Sequence, residues 1–476
     1  MMSSVSAIAS GLVPDRAALS FEQGGVAGSA RASAWSIVPM GGGGFCRGID
    51  INAAGTIVVR VDVYGAYIGS TTPGTKWRQL VTSSSMPPPV NRATPSFSSG
   101  VNEVRIAPNN SDVIYLAYVP SYKGATDDGW FCSRDGGATF SLTALTAIGN
   151  DANSNNGGSW GQKCAIDPAN PARAFLSGNN KANIYLTSDY GSTVTAISNA
   201  SVPAPTSGYG FYGIQFDASS GTTRGNTNRA VIPSYGNQAT VMTGAGSTYT
   251  QTTGGPTTII HGQFDSAGNY FCADAAGAIW RLTNANVWSS ILAAKSYVTV
   301  AVDPNNVGRI VAAYAGGQLN ICTNGTAATP TWSGINWASH LNANDCPWQQ
   351  SSQDNYKTVG DAFFDPSVAG RVWTAWGCGV HYTNSLTESG TQQFYSQTLG
   401  IENLVVNSII FPPGGDPVVS CWDRPLWRIS NLKTYPSGYG PAYPNALGNP
   451  IANNVVFGAG CDYATQTPSF VVGLAA

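Results

Sequence analysis

The segments "AIDPANPARAFLSG" (165–178), "AVDPNNVGRIVAAY" (301–314) and "FFDPSVAGRVWTAW" (363–376) follow one plan. Each contains an apolar strand end, an Asp-Pro pair, a polar turn, an arginine and a second apolar strand. Asp and Pro are turn-forming residues. The plan therefore predicts a strand–turn–strand unit that recurs along the chain.

Weaker copies extend this pattern. Four of them are "GIDINAAGTIVVRV" (48–61), "RIAPNNSDVIYLAY" (105–118), "GQFDSAGNYFCADA" (262–275) and "IIFPPGGDPVVSCW" (409–422), and residues 213–234 form a fifth with a longer turn. The Asp or its equivalent falls at positions 50, 107, 167, 217, 265, 303, 365 and 412, with spacings from 38 residues (265 to 303) to 62 residues (303 to 365). A strand-rich repeat of this length is typical of a β-propeller with one four-stranded blade per repeat. A lone blade cannot bury both of its faces, whereas a closed ring of blades can.

The composition favours the same all-β fold. The 476 residues include 56 glycines and 28 prolines, which suit many short strands and turns and suit long helices poorly. We expect a β-propeller of four-stranded blades, either one seven- or eight-bladed ring or one propeller plus part of a second. Residues 1–34, rich in Ser, Ala and Gly, are predicted to be a tail or docking segment. Residues 35–300 are predicted to hold the first blades, and residues 301–476 to close the ring or start a second propeller.

The charge argues against several classes of partner. A formal net charge of −2 and a pI near 5.9 give no basic footprint for nucleic acid. Charged residues make up 10% of the chain and aromatic residues 11%, which fits a neutral ligand such as a polysaccharide. The sequence contains no run of about 18 apolar residues, so no membrane span is expected. The first residues lack the basic and apolar regions of a secretory signal.

The nine cysteines are isolated from one another and form no CxxC pair. The three histidines, His261, His340 and His381, have no ligand spacing, so neither a metal nor a cofactor is expected. Most cysteines lie in apolar strand contexts such as "YFCAD" and "VVSCWD". They are therefore predicted to be buried thiols, with at least one unpaired because the number is odd.

A second motif falls inside the repeats. "SRDGGATF" (133–140) fits the Asp-box pattern Ser-x-Asp-x-Gly-x-Thr-aromatic, and "TSDYGSTV" (187–194) is a relaxed version. Asp135 and Asp189 are expected to accept backbone N–H groups in hairpin turns, with Gly137 and Gly191 at positive φ. The predicted role of these residues is structural.

The segment "WSIVPMGGGGFCRGIDINAAGTIVVRVDVYGAY" (35–67) resembles the opening of the xyloglucanases and oligoxyloglucan reducing-end-specific cellobiohydrolases of glycoside hydrolase family 74. Family members begin with a Gly-rich run before Phe, then a strand, then Arg-x-Asp-x-Gly-Gly-Ala-Tyr. "GQKCAIDPANPARAFLSG" (161–178), "VGDAFFDPSVAGRVWTAWGCGVHYTNSL" (359–386) and "LVVNSIIFPPGGDPVVSCWDRPLWR" (404–428) resemble the family in the same order. The similarity thus runs from about residue 35 to the C-terminus.

The resemblance implies two tandem seven-bladed propellers, a cleft between them, and one catalytic aspartate from each in an inverting mechanism. Asp62, in "RVDVYGAY", falls on the family's general base, although most aspartates at strand ends only cap turns. Asp361, in "VGDAFFDP", falls near the general acid of the second propeller. An inverting hydrolase needs two carboxyl groups roughly 6.5–9.5 Å apart, one of them protonated.

Five aromatic residues are candidate platforms for sugar rings, and packing inside or between blades is the alternative role for each: Tyr64, Tyr67, Trp348, Trp373 and Trp376. The chain departs from the family pattern in having eight repeats rather than fourteen. It also has Tyr64 in place of the first glycine beside the base, and Ile68-Gly69 where Arg-Trp usually follows.

Three functions compete at this point. The first is an inverting glycoside hydrolase that cleaves a β-linked, xyloglucan-type polysaccharide. The second is a non-catalytic propeller that binds glycan or protein, for example in a virion tail or another extracellular assembly, with residues 1–34 docking to a partner. The third is a sialidase, but no motif for its arginine cluster and tyrosine nucleophile is visible. An extracellular or virion-associated location is expected for the first two.

Overall fold

The computed structural model describes residues 37–42, 45–61, 65–87, 99–120, 129–149, 161–178, 181–206, 210–314, 317–335, 341–350, 358–377, 379–388, 390–402, 404–422, 426–436 and 458–475. Their secondary structure consists of strands β1 to β34 and short 3-10 helices at Gly244–Gly246 and Pro347–Gln350. Within these ranges no helix has the length and apolar character needed to cross a membrane. The predicted tail, residues 1–34, lies outside the described residues.

Seven antiparallel sheets are the blades of a propeller, which confirms the predicted fold class. In each blade the four strands follow chain order from the centre outward. Blade 1 contains β1 Cys46–Ile51, β2 Thr56–Val61, β3 Ala66–Ser70 and β4 Arg78–Gln79, and blade 2 contains β5 Ser99–Ala107, β6 Asn110–Pro120, β7 Gly129–Arg134 and β8 Ser141–Thr146. Blade 3 contains β9 Cys164–Ile166, β10 Ala174–Leu176, β11 Tyr185–Thr187 and β12 Thr195–Ala196, and blade 4 contains β13 Gln215–Thr223, β14 Asn226–Ile232, β15 Thr240–Thr243 and β16 Thr248–Gln251.

Blades 5 to 7 continue the same order: β17 Ile259–Phe264, β18 Tyr270–Asp274, β19 Ile279–Leu282, β20 Trp288–Leu292; β21 Tyr297–Val302, β22 Ile310–Tyr314, β23 Leu319–Cys322, β24 Ser333–Ile335; and β26 Val359–Phe364, β27 Val372–Trp376, β28 Gly379–Thr383, β29 Phe394–Ser396, with β25 Leu341–Asn342 added parallel to β29. The predicted division between residues 300 and 301 falls inside β21, the inner strand of blade 6.

The ring closes between blade 7 and blade 1. The inner strand β1 lies against β5 of blade 2 and against β26 of blade 7. Apolar residues of β1 and β2 share one buried cluster with residues of β27 and β28, including Trp373 and Val380. The seven blades between Cys46 and Ser396 therefore form a complete ring.

The turn after each inner strand explains the repeat. Asp167, Asp303 and Asp365 each accept the N–H two residues ahead, at distances of 2.9 Å. Each also pairs with the arginine six residues later, and the shortest pair is Asp167–Arg173 at 2.7 Å. In blade 1 the corresponding turn acceptor is Asn52, which takes the N–H groups of residues 54 and 56. The repeat position in blade 1 is thus residue 52, a correction to the sequence alignment, which had used Asp50.

Side chains on the inner strands join neighbouring blades around the central channel. The acceptor lies on one blade and the N–H donor on the inner strand of the next, and four such bonds are Asp50 with Ile106 (3.0 Å), Glu103 with Lys163 (2.9 Å), Gln263 with Val302 (2.9 Å) and Asp361 with Ile49 (3.1 Å). The last of these bonds crosses the point of ring closure.

The eighth repeat lies outside the ring. It forms the three-stranded sheet β30 Val406–Ile410, β31 Val418–Cys421 and β32 Leu426–Arg428, against which the hairpin β33 Gly458–Ala464 and β34 Thr467–Ala475 packs. β30 has the bulge that several inner strands of the ring have. Phe411, one residue before its turn position, is 65% exposed, whereas Phe216 at the equivalent place in blade 4 is 5% exposed. The sheet is therefore blade-like but lacks part of a blade's usual covering.

The cysteines agree with the sequence prediction. Eight of them lie among the described residues and all eight are free thiols, seven of them buried and Cys461 partly exposed.

Candidate functional site

The predicted base Asp62 and the neighbouring Tyr64 lie outside the described residues. The strands that flank them are well defined. β2 ends at Val61, whose N–H donates to the carbonyl of Gly65 at 3.0 Å, and β3 begins at Ala66. Residues 61–65 thus connect β2 and β3 at the end of the sheet where β1 begins, because Cys46 pairs with Val61. We call this connection the Asp62 hairpin.

Asp361 lies on the inner strand of blade 7, in the same ring as the Asp62 hairpin. It is 3% exposed. Its carboxylate accepts hydrogen bonds from the N–H of Ile49 at 3.1 Å, the hydroxyl of Thr299 at 2.7 Å and its neighbour's N–H in residue 362 at 2.8 Å. The Nε2 atom of His261 lies 3.1 Å away. Blades 1, 5 and 6 all supply contacts to this single side chain.

These surroundings suit an ionised carboxylate that holds blades together. Burial alone raises the pKa of Asp361, but the contacts with His261, the charge of Arg105 and the hydrogen bond from Thr299 outweigh it, and the pKa is lowered. A general acid needs the opposite shift and needs access to substrate. Asp361 is therefore a buried residue of the ring whose contacts favour the ionised form, and its role as general acid stays a prediction.

The four described aromatic candidates are core residues. Tyr67 is 3% exposed, Trp348 and Trp376 are each 1% exposed, and Trp373 is fully buried. Trp373 packs on Tyr382, and Trp376 lies between His381 and Phe394. All four rings thus lie in the core, where packing inside or between blades is the role that the sequence left open as the alternative, and their role as sugar platforms stays a prediction.

Asp135 and Asp189 make their contacts within their own turns. Asp135 accepts the N–H of Thr139 at 2.9 Å and its hydroxyl at 2.6 Å, and Asp189 does the same with Thr193 at 2.9 and 2.7 Å. Gly137 and Gly191 have φ values of 76° and 87°. Both carboxylates are thus bonded within their own turns, and the structural role of the motif stays a prediction.

Glu402, a residue that the sequence did not single out, lies against β3 of blade 1. The Oε2 atom of Glu402 accepts the N–H groups of Met40 and Gly41 at 3.0 and 2.9 Å. The hydroxyl of Tyr67 donates to the Glu402 carbonyl at 2.8 Å. Nearby, the indole N–H of Trp348 donates to the Met40 carbonyl at 2.8 Å. We call this contact region between the ring, residues 37–42 and the β30–β32 sheet the junction.

The junction favours a protonated carboxyl. Burial raises the pKa of Glu402 to about 7, against the opposing effect of the N–H groups of Gly41 and Met40. Glu402 remains partly exposed at its surface. It can therefore hold a proton near neutral pH, which Asp361 cannot. Its sequence context, "LGIENLVV", contains no motif that would have identified it.

Among the described residues, no group of three or more His, Cys, Asp or Glu side chains is arranged to hold a metal ion.

No family model matches the sequence. Among curated proteins, the chain is 24% identical over 463 residues to a xyloglucanase of Hypocrea jecorina, covering 82% of this chain and 53% of that protein. It is 23% identical over 506 residues to a xyloglucanase of Acetivibrio thermocellus, covering 92% of this chain and 56% of that protein. The chain therefore spans about half the length of the curated relatives it matches.

Two solved structures share the architecture. A family 74 enzyme of Niastella koreensis superposes with a TM-score of 0.76 at 24% identity, covering 92% of this chain and 67% of that one. A family 74 xyloglucanase of Xanthomonas campestris superposes with a TM-score of 0.75 at 21% identity, covering 92% and 65%. The chain thus has the propeller fold of these family 74 structures and resembles xyloglucanases in sequence, as its opening segment indicated.

Proposed function

We propose that this protein is a glycoside hydrolase that cleaves a β-linked, xyloglucan-type polysaccharide with inversion, using Asp62 as the general base. The observation that carries the proposal is the match of residues 35–67 to the start of the family 74 pattern. The shared fold and the xyloglucanase relatives support it. An extracellular polysaccharide as substrate agrees with the uncharged character of the chain.

The general acid of the proposal is Glu402. An inverting mechanism needs one carboxyl that stays protonated while the other is ionised. Asp50 and Glu402 are described carboxyl groups whose pKa is raised, to about 6 and about 7. Asp50 pairs with Val58, three residues before the end of β2, which is roughly 10 Å along the strand from the Asp62 hairpin. The backbone carbonyl of Glu402 accepts the hydroxyl of Tyr67, two residues beyond Gly65, so this residue lies nearer to the Asp62 hairpin along the sheet.

Two variants test the proposal: Asp62→Asn and Glu402→Gln. Purified protein is incubated with xyloglucan, reducing ends are quantified, and the anomer first released is identified by NMR. Asp62→Asn and Glu402→Gln are each expected to reduce hydrolysis at least a hundredfold without a change in fold. Full activity of Asp62→Asn would refute the mechanism, and full activity of Glu402→Gln would refute the assignment of the acid.

The second candidate function is a propeller that binds glycan or protein without cleavage. The burial of Tyr67, Trp348, Trp373 and Trp376 favours its protein-binding form, because these rings give a sugar chain no stacking surface. Binding of xyloglucan or its oligosaccharides without release of product over several days would support this function and reject the hydrolase.

A further inference from the structure

The central channel of the ring opens at the end opposite the Asp62 hairpin. There the inner strands end at the repeat turns, and the mouth encloses a cavity of about 490 Å³ lined by residues of all seven blades. Sites for small molecules are typically clefts of about 300–1,000 Å³ that combine apolar walls with a few polar groups. The size of the cavity is therefore that of a ligand site.

Polar side chains line the cavity from equivalent places in the repeat. Asp50, Arg105, Gln215 and Gln263 each stand two residues before the repeat turn position of their blade and all line the cavity. Since successive side chains of a strand alternate between its two faces, equal spacing from the turn directs these groups to one layer of the channel. The layer contains a carboxyl, a guanidinium and two amides.

Gln263 has an unused donor in this layer. Its Oε1 atom accepts the N–H of Val302 at 2.9 Å, which fixes the orientation of the amide. Its Nε2 atom is buried and has no hydrogen-bond partner among the described residues, and Gln263 is only 6% exposed. A buried donor without a partner is unfavourable, so a molecule that supplies an acceptor here is stabilised.

The charged side chains that line the cavity, Asp50, Asp265 and Arg105, already have partners. Asp265 accepts the N–H groups of Ala267 and Asn269 within its own turn, at 3.0 and 2.9 Å. The Nε atom of Arg105 lies 3.1 Å from Glu103, and its Nη1 atom lies 3.8 Å from Asp50. Asp50 also accepts the N–H of Ile106 at 3.0 Å. An anion would meet the Asp50 carboxyl next to a guanidinium that is already paired, and a cation would meet that guanidinium. A neutral ligand avoids both conflicts.

Hydroxyl groups match this layer, because each one can donate to Asp50 or to an amide carbonyl and accept from Gln263 or Arg105. Phe264 and Phe363 stand among the apolar walls and offer surface to the C–H bonds of a saturated ring. We propose that the channel mouth is a binding site for a neutral polyhydroxylated ring of the size of a monosaccharide. The site is separate from the Asp62 hairpin and does not depend on the proposed hydrolase activity.

The test blocks the channel mouth with a tryptophan substitution at its edge. Ala53 is exposed and lines the cavity, while the adjacent Ala54 is exposed and does not line it. D-glucose and D-xylose at up to 50 mM are titrated into the full chain, with saturation-transfer NMR as the readout. Ala53→Trp should reduce the saturation signal at least tenfold, and the matched control Ala54→Trp should leave it unchanged.

Two further variants locate the signal. Gln263→Glu keeps the acceptor for Val302 and removes the amide donor, so it should weaken binding at least fivefold. Asp416→Asn, in the sheet outside the ring, should leave binding unchanged, which places the signal in the ring. Thermal unfolding of each variant checks that the ring is intact. No saturation with either sugar, or a signal that Ala53→Trp does not reduce, would show a channel that holds only water and would overturn the proposal, as would tighter binding of acetate than of sugar.

Discussion

Replacing Asp361 by Asn should destabilise the ring. The carboxylate accepts hydrogen bonds from Ile49, Thr299 and the N–H of residue 362, and His261 lies 3.1 Å away. Asn offers one acceptor atom and turns an NH₂ group toward a donor, so the bond across the closure of the ring or one of the others is lost. Leaving a donor unpaired beside a former buried charge costs about 3–5 kcal/mol.

This cost converts into a measurable shift in the melting temperature. The ring from Cys46 to Ser396 spans 351 residues (396 − 46 + 1). With about 2.1 cal/mol/K per residue, its unfolding entropy is roughly 0.7 kcal/mol/K, so 3 kcal/mol lowers Tm by about 4 °C. Differential scanning calorimetry at pH 7 measures the shift. The control is Asp416→Asn, which breaks the exposed pair with Arg428 and should shift Tm by less than about 1 °C.

The Tm difference between the wild type and Asp361→Asn should decrease at acidic pH. The pKa of Asp361 is lowered in the folded state, so the ionised carboxylate stabilises the native protein above the unfolded pKa of about 4. This contribution is lost as the pH falls through the lowered folded value. The Tm difference between wild type and Asp361→Asn should therefore be constant from pH 6 to 8 and shrink below about pH 4. A variant with unchanged Tm but no hydrolytic activity would refute the structural role and restore the catalytic one.

Three other predictions concern stability. Phe216→Ala, which removes a ring stacked on Phe175 at 4.9 Å, should cost about 3–5 kcal/mol by denaturant unfolding, whereas Phe411→Ala at the equivalent exposed position should stay within about 0.5 kcal/mol; equal effects would contradict the repeat alignment. Glu402, with its pKa raised to about 7, favours the protonated native state, so stability should fall on the order of 2 kcal/mol as the pH rises from 4.5 to 7, and Glu402→Gln should abolish that slope; a slope unchanged in the variant would exclude Glu402 as its origin. Asp135→Ala should cost about 1 kcal/mol without any change in activity, and a loss of activity would contradict its confinement to the turn.

The repeat predicted the blades because its determinants are local. The Asp-Pro turn, the arginine six residues later and the flanking apolar strands act within a few residues of one another, and the ion pair Asp167–Arg173 shows why they occur together. The sequence pattern also located the turns of Asp135 and Asp189 for the same reason. Turns that depend on such short-range interactions can be predicted from the sequence alone.

The burial of the aromatic residues and of Asp361 could not be predicted from the sequence. In an ordinary two-layer sheet protein, a strand has one buried and one exposed face, so half of its aromatic residues reach the surface. In a ring of blades both faces of each sheet are covered by neighbours, which is why Trp373 and Trp376 are both buried. Asp361 receives its N–H from Ile49, 312 residues away in the chain, a contact that no local pattern encodes.

The same distinction explains why eight repeats give seven blades. Each repeat specifies one sheet. The number of blades in the ring depends on which sheet packs against the free face of blade 1, because the contact between that sheet and blade 1 closes the ring. Blade 7 makes this closing contact through the hydrogen bond from the Ile49 N–H to Asp361, and through Trp373, which packs into the apolar cluster of β1 and β2. The eighth repeat keeps the bulge and the apolar positions of an inner strand, yet Ile409 and Phe411 are 46% and 65% exposed. Because ring closure at blade 7 has already buried the matching surface of blade 1, the sheet with the same local code has no place in the ring, and its apolar side chains remain at the surface.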